Sequence, residues 1–133
     1  MGIELADEKF REGELNRFAN QEKTLSAFKL LKTNGIKRTA YNIIGLPNQN
    51  EDSILKTIEF NKMLDPDNIT VAFYSPYYGT KSQMDGKEAG IFDDYEFDVD
   101  SALRTKSKDT HLLPIDKLKF YKKNFVRIVR NEI

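Results

Sequence analysis

The 133 residues have the size of one ordinary domain, and the 21 Lys and Arg are balanced by 21 Asp and Glu, so no overall field of either sign recruits nucleic acid or an anionic membrane. With no cysteine, the chain offers neither a disulfide framework nor a thiolate site for zinc or an iron–sulfur cluster. No apolar run approaches the roughly 20 residues of a membrane-spanning helix, and no basic-then-apolar leader opens the sequence, so a cytoplasmic location without a membrane partner is expected.

The opening "MGIEL", residues 1–5, reads as a strand with no element before it, and the charged residues 6–17 as helix or loop. Asn20 is placed to cap a helix whose apolar positions Leu25, Phe28 and Leu31 recur every three residues, with Asn34-Gly35 as a left-handed stop. A strand follows over 36–46. Asn50 caps the next helix, which has Glu51 and Asp52 in its first turn and Ile54, Leu55, Ile58 and Leu64 as its buried side. "DPD" at 65–67 turns the chain into the β-branched and aromatic stretch "NITVAFYS", 68–75, another strand. Strands alternating with helices of this length predict right-handed βαβ units, so residues 1–80 form an α/β unit with a parallel sheet.

Alternation within the strands assigns Ile3, Tyr41, Ile43, Ile69, Val71 and Phe73 to a helix-covered face. It assigns Gly2, Glu4, Asn42, Ile44, Thr70, Ala72 and Tyr74 to the other. That second set is too polar for a sheet covered on both faces and suits the lumen of a barrel or partial barrel. Residues 81–133 form a second segment: a short helix at "SQMDGKEAG", an irregular acidic and aromatic stretch over 91–113, and a long amphipathic helix over 113–132 that packs on the first unit. Its apolar stripe is Ile115, Leu118, Tyr121, Phe125, Ile128 and Val129, with Pro114 in the first turn. Its other side carries Lys117, Lys119, Lys122, Lys123, Arg127 and Arg130.

Chemistry has few places to reside. Gly45 permits close backbone approach at a strand end and Pro47 fixes the exit, a corner of the kind that borders ligands in parallel α/β folds. Glu51 and Asp52 already answer the positive end of the helix after Asn50, which argues against phosphate there. Glu4, facing a lumen, needs a cation or ligand hydroxyls as its partner. "SPYYGT", 75–80, is a second strand-end loop. The lone His111 has no neighbouring ligand residue, so no metal role is assigned to it, and no nucleophile–base pair marks a catalytic residue. The basic side of the last helix reads as solvated or as a partner surface.

Taken together and in this order, "MGIELADEKFREGELNR", "YNIIGLPNQNED", "TIEFNKMLDPDNITVAFYSPYYGT" and "LKFYKKNFVRIVRNEI" resemble the second half of a radical S-adenosylmethionine domain, as found in cobalamin-associated members of that superfamily. The resemblance implies an α/β fold of a specific kind: a parallel-stranded partial (β/α) barrel fragment, strands four to six, with a C-terminal amphipathic helix. It implies that the corner at 43–47 lies against the adenine of S-adenosylmethionine, through Ile43, Ile44 and Gly45. Glu4 stands where the "GIES" motif places an acidic residue near the ribose or amino acid, and Arg17 where a basic residue often follows. "SPYYGT" is similar to the "PYPGT" loop, with Tyr78 replacing a proline. "GIEL" for "GIES" and "LPNQNE" for "LPGET" are further departures.

In that family a [4Fe-4S] cluster on a CxxxCxxC loop in the first half of the barrel passes an electron to S-adenosylmethionine, and the 5′-deoxyadenosyl radical abstracts hydrogen from substrate. The resemblance therefore implies a fragment of an iron–sulfur oxidoreductase or methyltransferase that is not catalytic alone. Cluster and cobalamin belong to the parent, S-adenosylmethionine binding is weak or absent here, and the partner is the missing N-terminal half or a second copy. Glu4, Asn42, Ile44 and Tyr74 would line the lumen. The alternative expectation is a stand-alone α/β binding or interaction module using a strand edge and the basic final helix, with nucleic acid not expected as its partner.

Overall fold

The computed structural model describes residues 1–77, 79–88, 90 and 112–133. Their order is β1 (Gly2–Glu4), α1 (Glu8–Leu15), α2 (Gln21–Thr33), β2 (Thr39–Ile44), α3 (Glu51–Leu64), β3 (Asn68–Phe73), α4 (Lys81–Glu88) and α5 (Ile115–Val129). The three strands form a parallel sheet in the order β1-β2-β3, so the α/β expectation holds. His111, Tyr78 and most of the acidic stretch lie outside the described residues.

Local chemistry sets the helix ends. The side chains of Asp7, Asn20 and Asn50 accept from the backbone N–H of Phe10, Lys23 and Ser53, satisfying donors that the first helical turn leaves open. Asp7 is the cap that turns the ambiguous 6–17 stretch into a helix. Asp65, at φ 44°, ends α3 in the left-handed conformation. Pro114 sits one position earlier than expected, at the N-cap of α5.

Helices α2, α3 and α5 pack on one face of the sheet. Phe28 of α2 and Phe60 and Leu64 of α3 cover Ile3 and Ala40. Ile54 and Ile58 of α3 and Leu118, Tyr121, Phe125 and Val129 of α5 cover Ile44 and Phe73. The layer therefore runs α2, α3, α5 above β1, β2, β3. Two more contacts tie α5 down: Lys117 Nζ and the Tyr121 hydroxyl each donate to a Glu51 carboxylate oxygen at 2.5 Å. Burial, and then this bond to Glu51, push the Tyr121 pKa up to about 12.

The face assignment of β2 is corrected. Ala40, Asn42 and Ile44 pair with Ile69, Val71 and Phe73, so they share the helix-covered face; Tyr41 and Ile43 pair with Thr70 and Ala72 on the other. Asn42 and Ile44 thus do not line an open side. Asn42 is tolerated in the core because Asn61 of α3 answers it reciprocally: Asn42 Nδ2 donates to Asn61 Oδ1 at 3.2 Å and Asn61 Nδ2 to Asn42 Oδ1 at 2.8 Å. Leu55 is likewise not on the buried side of α3; it is 44 % exposed, and Thr57 and Asn61 are buried instead. Lys122 leaves the solvated side of α5 to donate to the Val71 carbonyl at 2.7 Å, its ammonium 5.1 Å from the Phe73 ring centroid. Desolvation in that position lowers its pKa.

Arg38, just before β2, is buried and fastens the start of β3. Its Nε and backbone N–H both donate to Asp67 Oδ2, at 3.0 and 2.7 Å. The bond from the Arg38 backbone, then that from its guanidinium, hold the Asp67 carboxyl below the usual carboxylate value. A depressed folded pKa contributes stability that is whole above the unfolded value and is lost as pH falls through the folded one. The gap in urea midpoint between the native chain and Asp67→Asn should therefore be full above the ordinary carboxylate value and close as the pH falls through the lowered one. A gap unchanged at acid pH would remove the ion pair as its cause.

Candidate functional site

With α2, α3 and α5 on one face, the other presents, among the described residues, Gly2, Tyr41, Ile43, Thr70 and Ala72, and the Glu4 side chain reaches it over Gly2. Tyr41 is 50 % exposed there. Between Gly2 and Glu4 the β1–β2 register slips, and Glu4 takes φ 61°, in the left-handed region. Its carboxylate folds back over Gly2, where the missing side chain leaves room: a Cβ on Gly2 would collide with Glu4 Oε1 and lie 3.0 Å from Arg17 Nη1. Asn16, at φ 47°, ends α1 and directs the chain so that Arg17 returns to β1. Arg17 Nη1 donates to Glu4 Oε1 at 2.6 Å, and Nη2 to the Gly2 carbonyl at 3.1 Å. The cation that the sequence reading required for Glu4 is therefore Arg17. A half-exposed pair of this kind contributes only about 0–1 kcal/mol, so folding stability alone gives little reason for it.

The corner after β2 is built by Gly45, whose φ of 87° suits glycine, and by Gln49. Gln49 is fully buried; its Oε1 accepts from the Gly45 N–H at 2.7 Å, and its own N–H donates to the Leu46 carbonyl at 3.0 Å. The Ile44 carbonyl accepts from the Tyr74 N–H at 2.8 Å, joining this corner to the exit of β3. Arg11 of α1, also buried, holds the exit of β1: Nη1 donates to the Leu5 carbonyl at 2.9 Å and Nη2 to that of Ala19. Asn48 Nδ2 reaches Glu14 Oε1 at 3.3 Å, which sets α1 beside the corner.

Of the four residues expected to touch a cofactor, Glu4 and Ile43 occupy the open face on neighbouring strands. Gly45 is buried with its N–H taken by Gln49. Ile44 is a correction: its side chain is in the core beneath α3 and α5, facing away from any ligand on the open face. Sequence reasoning missed Tyr41, placed on the wrong face, and the internal partners Gln49 and Arg11. The Gln49 bond spans four residues and had a signal in the sequence, a glutamine just after a Gly-Leu-Pro corner. Among the described residues, no group of three or more His, Cys, Asp or Glu is arranged to hold a metal, and no helix is long and apolar enough to cross a membrane.

The arrangement offers groups suited to binding. A carboxylate paired with a guanidinium is suited to hydroxyl and amino groups, and the flat aliphatic and aromatic surface of Ile43 and Tyr41 to a planar ring. The sequence matches no protein-family model and no curated protein.

Proposed function

We propose that the chain is the C-terminal half of a radical S-adenosylmethionine barrel, derived from an iron–sulfur oxidoreductase or methyltransferase and without catalysis of its own. The observation that supports this reading is the parallel sheet that, among the described residues, is covered by helices on one face, while the other carries the Glu4–Arg17 pair beside Ile43 and Tyr41. In this reading Glu4, held by Arg17, meets the ribose or amino-acid end of S-adenosylmethionine. Ile43 and the Gly45 corner lie against the adenine, with Ile44 contributing backbone only. The cysteine-free sequence supplies no thiolate to a [4Fe-4S] cluster, so cluster and cobalamin belong to the parent's other segments, and the N-terminal half of the barrel is the partner. The second reading, a non-catalytic α/β interaction module, is favoured by the exposed basic side of α5.

Equilibrium dialysis of the iron-free chain against S-adenosylmethionine and 5′-deoxyadenosine tests the proposal. Saturable binding with Kd on the order of 1 mM is expected, since half the pocket is missing. Gly2→Ala, which drives the Glu4 carboxylate from its place, should abolish it while the helical circular dichroism is retained. Failure to saturate, or binding indifferent to Gly2→Ala and Glu4→Gln, would overturn the assignment.

A further inference from the structure

The outer surface of the helix layer carries two features of opposite charge, one on each side of α3. On the α2 side, α1, α2 and α3 enclose a cleft of about 730 Å³. Leu55 and Met63 form an apolar floor that faces solvent, while Ile54 and Ile58 of the same helix face the sheet. Five carboxylates line this cleft against two lysines, Lys9 and Lys56. Lys56 is spent on Asp52 at 2.8 Å and Asp7 at 3.5 Å, and Glu59 is paired with Lys62 at 2.8 Å. Glu22, in the first turn of α2, has no cationic partner among the described residues.

On the other side, α5 turns outward a stripe of Lys119, Phe120, Lys123, Val126 and Arg127, spaced as one helical face. Phe120 is 51 % exposed and Val126 40 %. Lys119 and Lys123 have no ion pair among the described residues. A basic amphipathic helix and an acidic, apolar-floored cleft are complementary in both charge and polarity. One chain carries both.

We propose that this face is a homodimer interface, in which the α5 stripe of one copy seats in the α2–α3 cleft of a second copy and the exchange is reciprocal. A two-fold axis running along α3 between two facing layers places α5 of each copy over the α2 side of the other, so the contact closes and does not propagate. The overall charge balance means that two copies do not repel as wholes. The sheet edges are a poorer route: β1 and β3 each have a carbonyl already occupied by a cationic side chain, Gly2 by Arg17 and Val71 by Lys122. This interface is independent of the function proposed above.

Sedimentation velocity over a concentration series tests it on the whole chain. A reversible dimer is expected, weakening as salt is raised from about 50 mM to 500 mM because the Debye length shrinks severalfold. Lys119→Glu with Lys123→Glu should raise the dissociation constant about tenfold or more, and so should Glu22→Lys with Glu59→Lys. All four positions are exposed, so folding is spared. An equimolar mixture of the two reversed proteins should recover dimer, because each mutated surface then meets its complement. A monomer at every concentration, a dimer indifferent to salt and to both reversals, or a mixture that stays monomeric would each overturn the proposal.

Discussion

Replacing Phe125 by alanine is expected to cost about 3–5 kcal/mol of folding stability. Phe125 is fully buried in the cluster where α5 meets Ile54 and Ile58 of α3 and Phe73 of β3. Removing its ring leaves a cavity that α3 and β3, themselves fixed by the sheet, cannot collapse to fill. A domain of this size has a net stability of only about 5–15 kcal/mol, so the loss is a large share of the whole. Urea unfolding followed by circular dichroism checks it: the midpoint should fall sharply with a single cooperative transition. Phe18→Ala, at a side chain 75 % exposed, should stay within about 0.5 kcal/mol. A Phe125→Ala loss below about 1 kcal/mol would mean that α5 does not fold as one unit with the sheet.

The second large effect belongs to the buried amide pair. Asn61→Leu should cost about 2–3 kcal/mol, because it leaves the Asn42 Oδ1 in the core without Asn61 and its Nδ2 with only the Thr70 carbonyl at 3.4 Å. Asn42→Leu should do the same to Asn61, which retains only its bond to the Thr57 carbonyl at 2.8 Å. With both replaced, no amide is orphaned, and the larger but similarly branched leucines supply apolar contact. The double variant should therefore be more stable than the sum of the singles by about 1 kcal/mol or more. Strict additivity in that double-mutant cycle would show that the pair is not coupled.

This amide pair also explains what was hidden in the sequence. The helices, their Asn20 and Asn50 caps, the strand over 68–75 and the α5 stripe were legible because each rests on local spacing and capping chemistry. The face of β2 was not, because a polar residue in a strand reads as outward-facing unless its partner is known. Asn61 lies 19 residues away on another element, and no periodicity announces it. The error displaced Tyr41 and Ile43 to the core side and drew Asn42 and Ile44 out of it. Leu55 failed for a related reason: hydropathy marks a leucine as interior, but its angle on α3 points it away from the sheet. At the site, Glu4 and the Gly45 corner were legible as a strand-borne acid and a glycine turn. The register slip that brings Glu4 over Gly2 was not, since it depends on how β1 meets β2.

The left-handed backbone at Glu4 carries a local energetic cost. A residue with a side chain held there forfeits on the order of 1–3 kcal/mol that glycine would keep. The half-exposed contact with Arg17, at about 0–1 kcal/mol, does not offset that cost, so Glu4→Gly should leave folding stability unchanged or slightly raised.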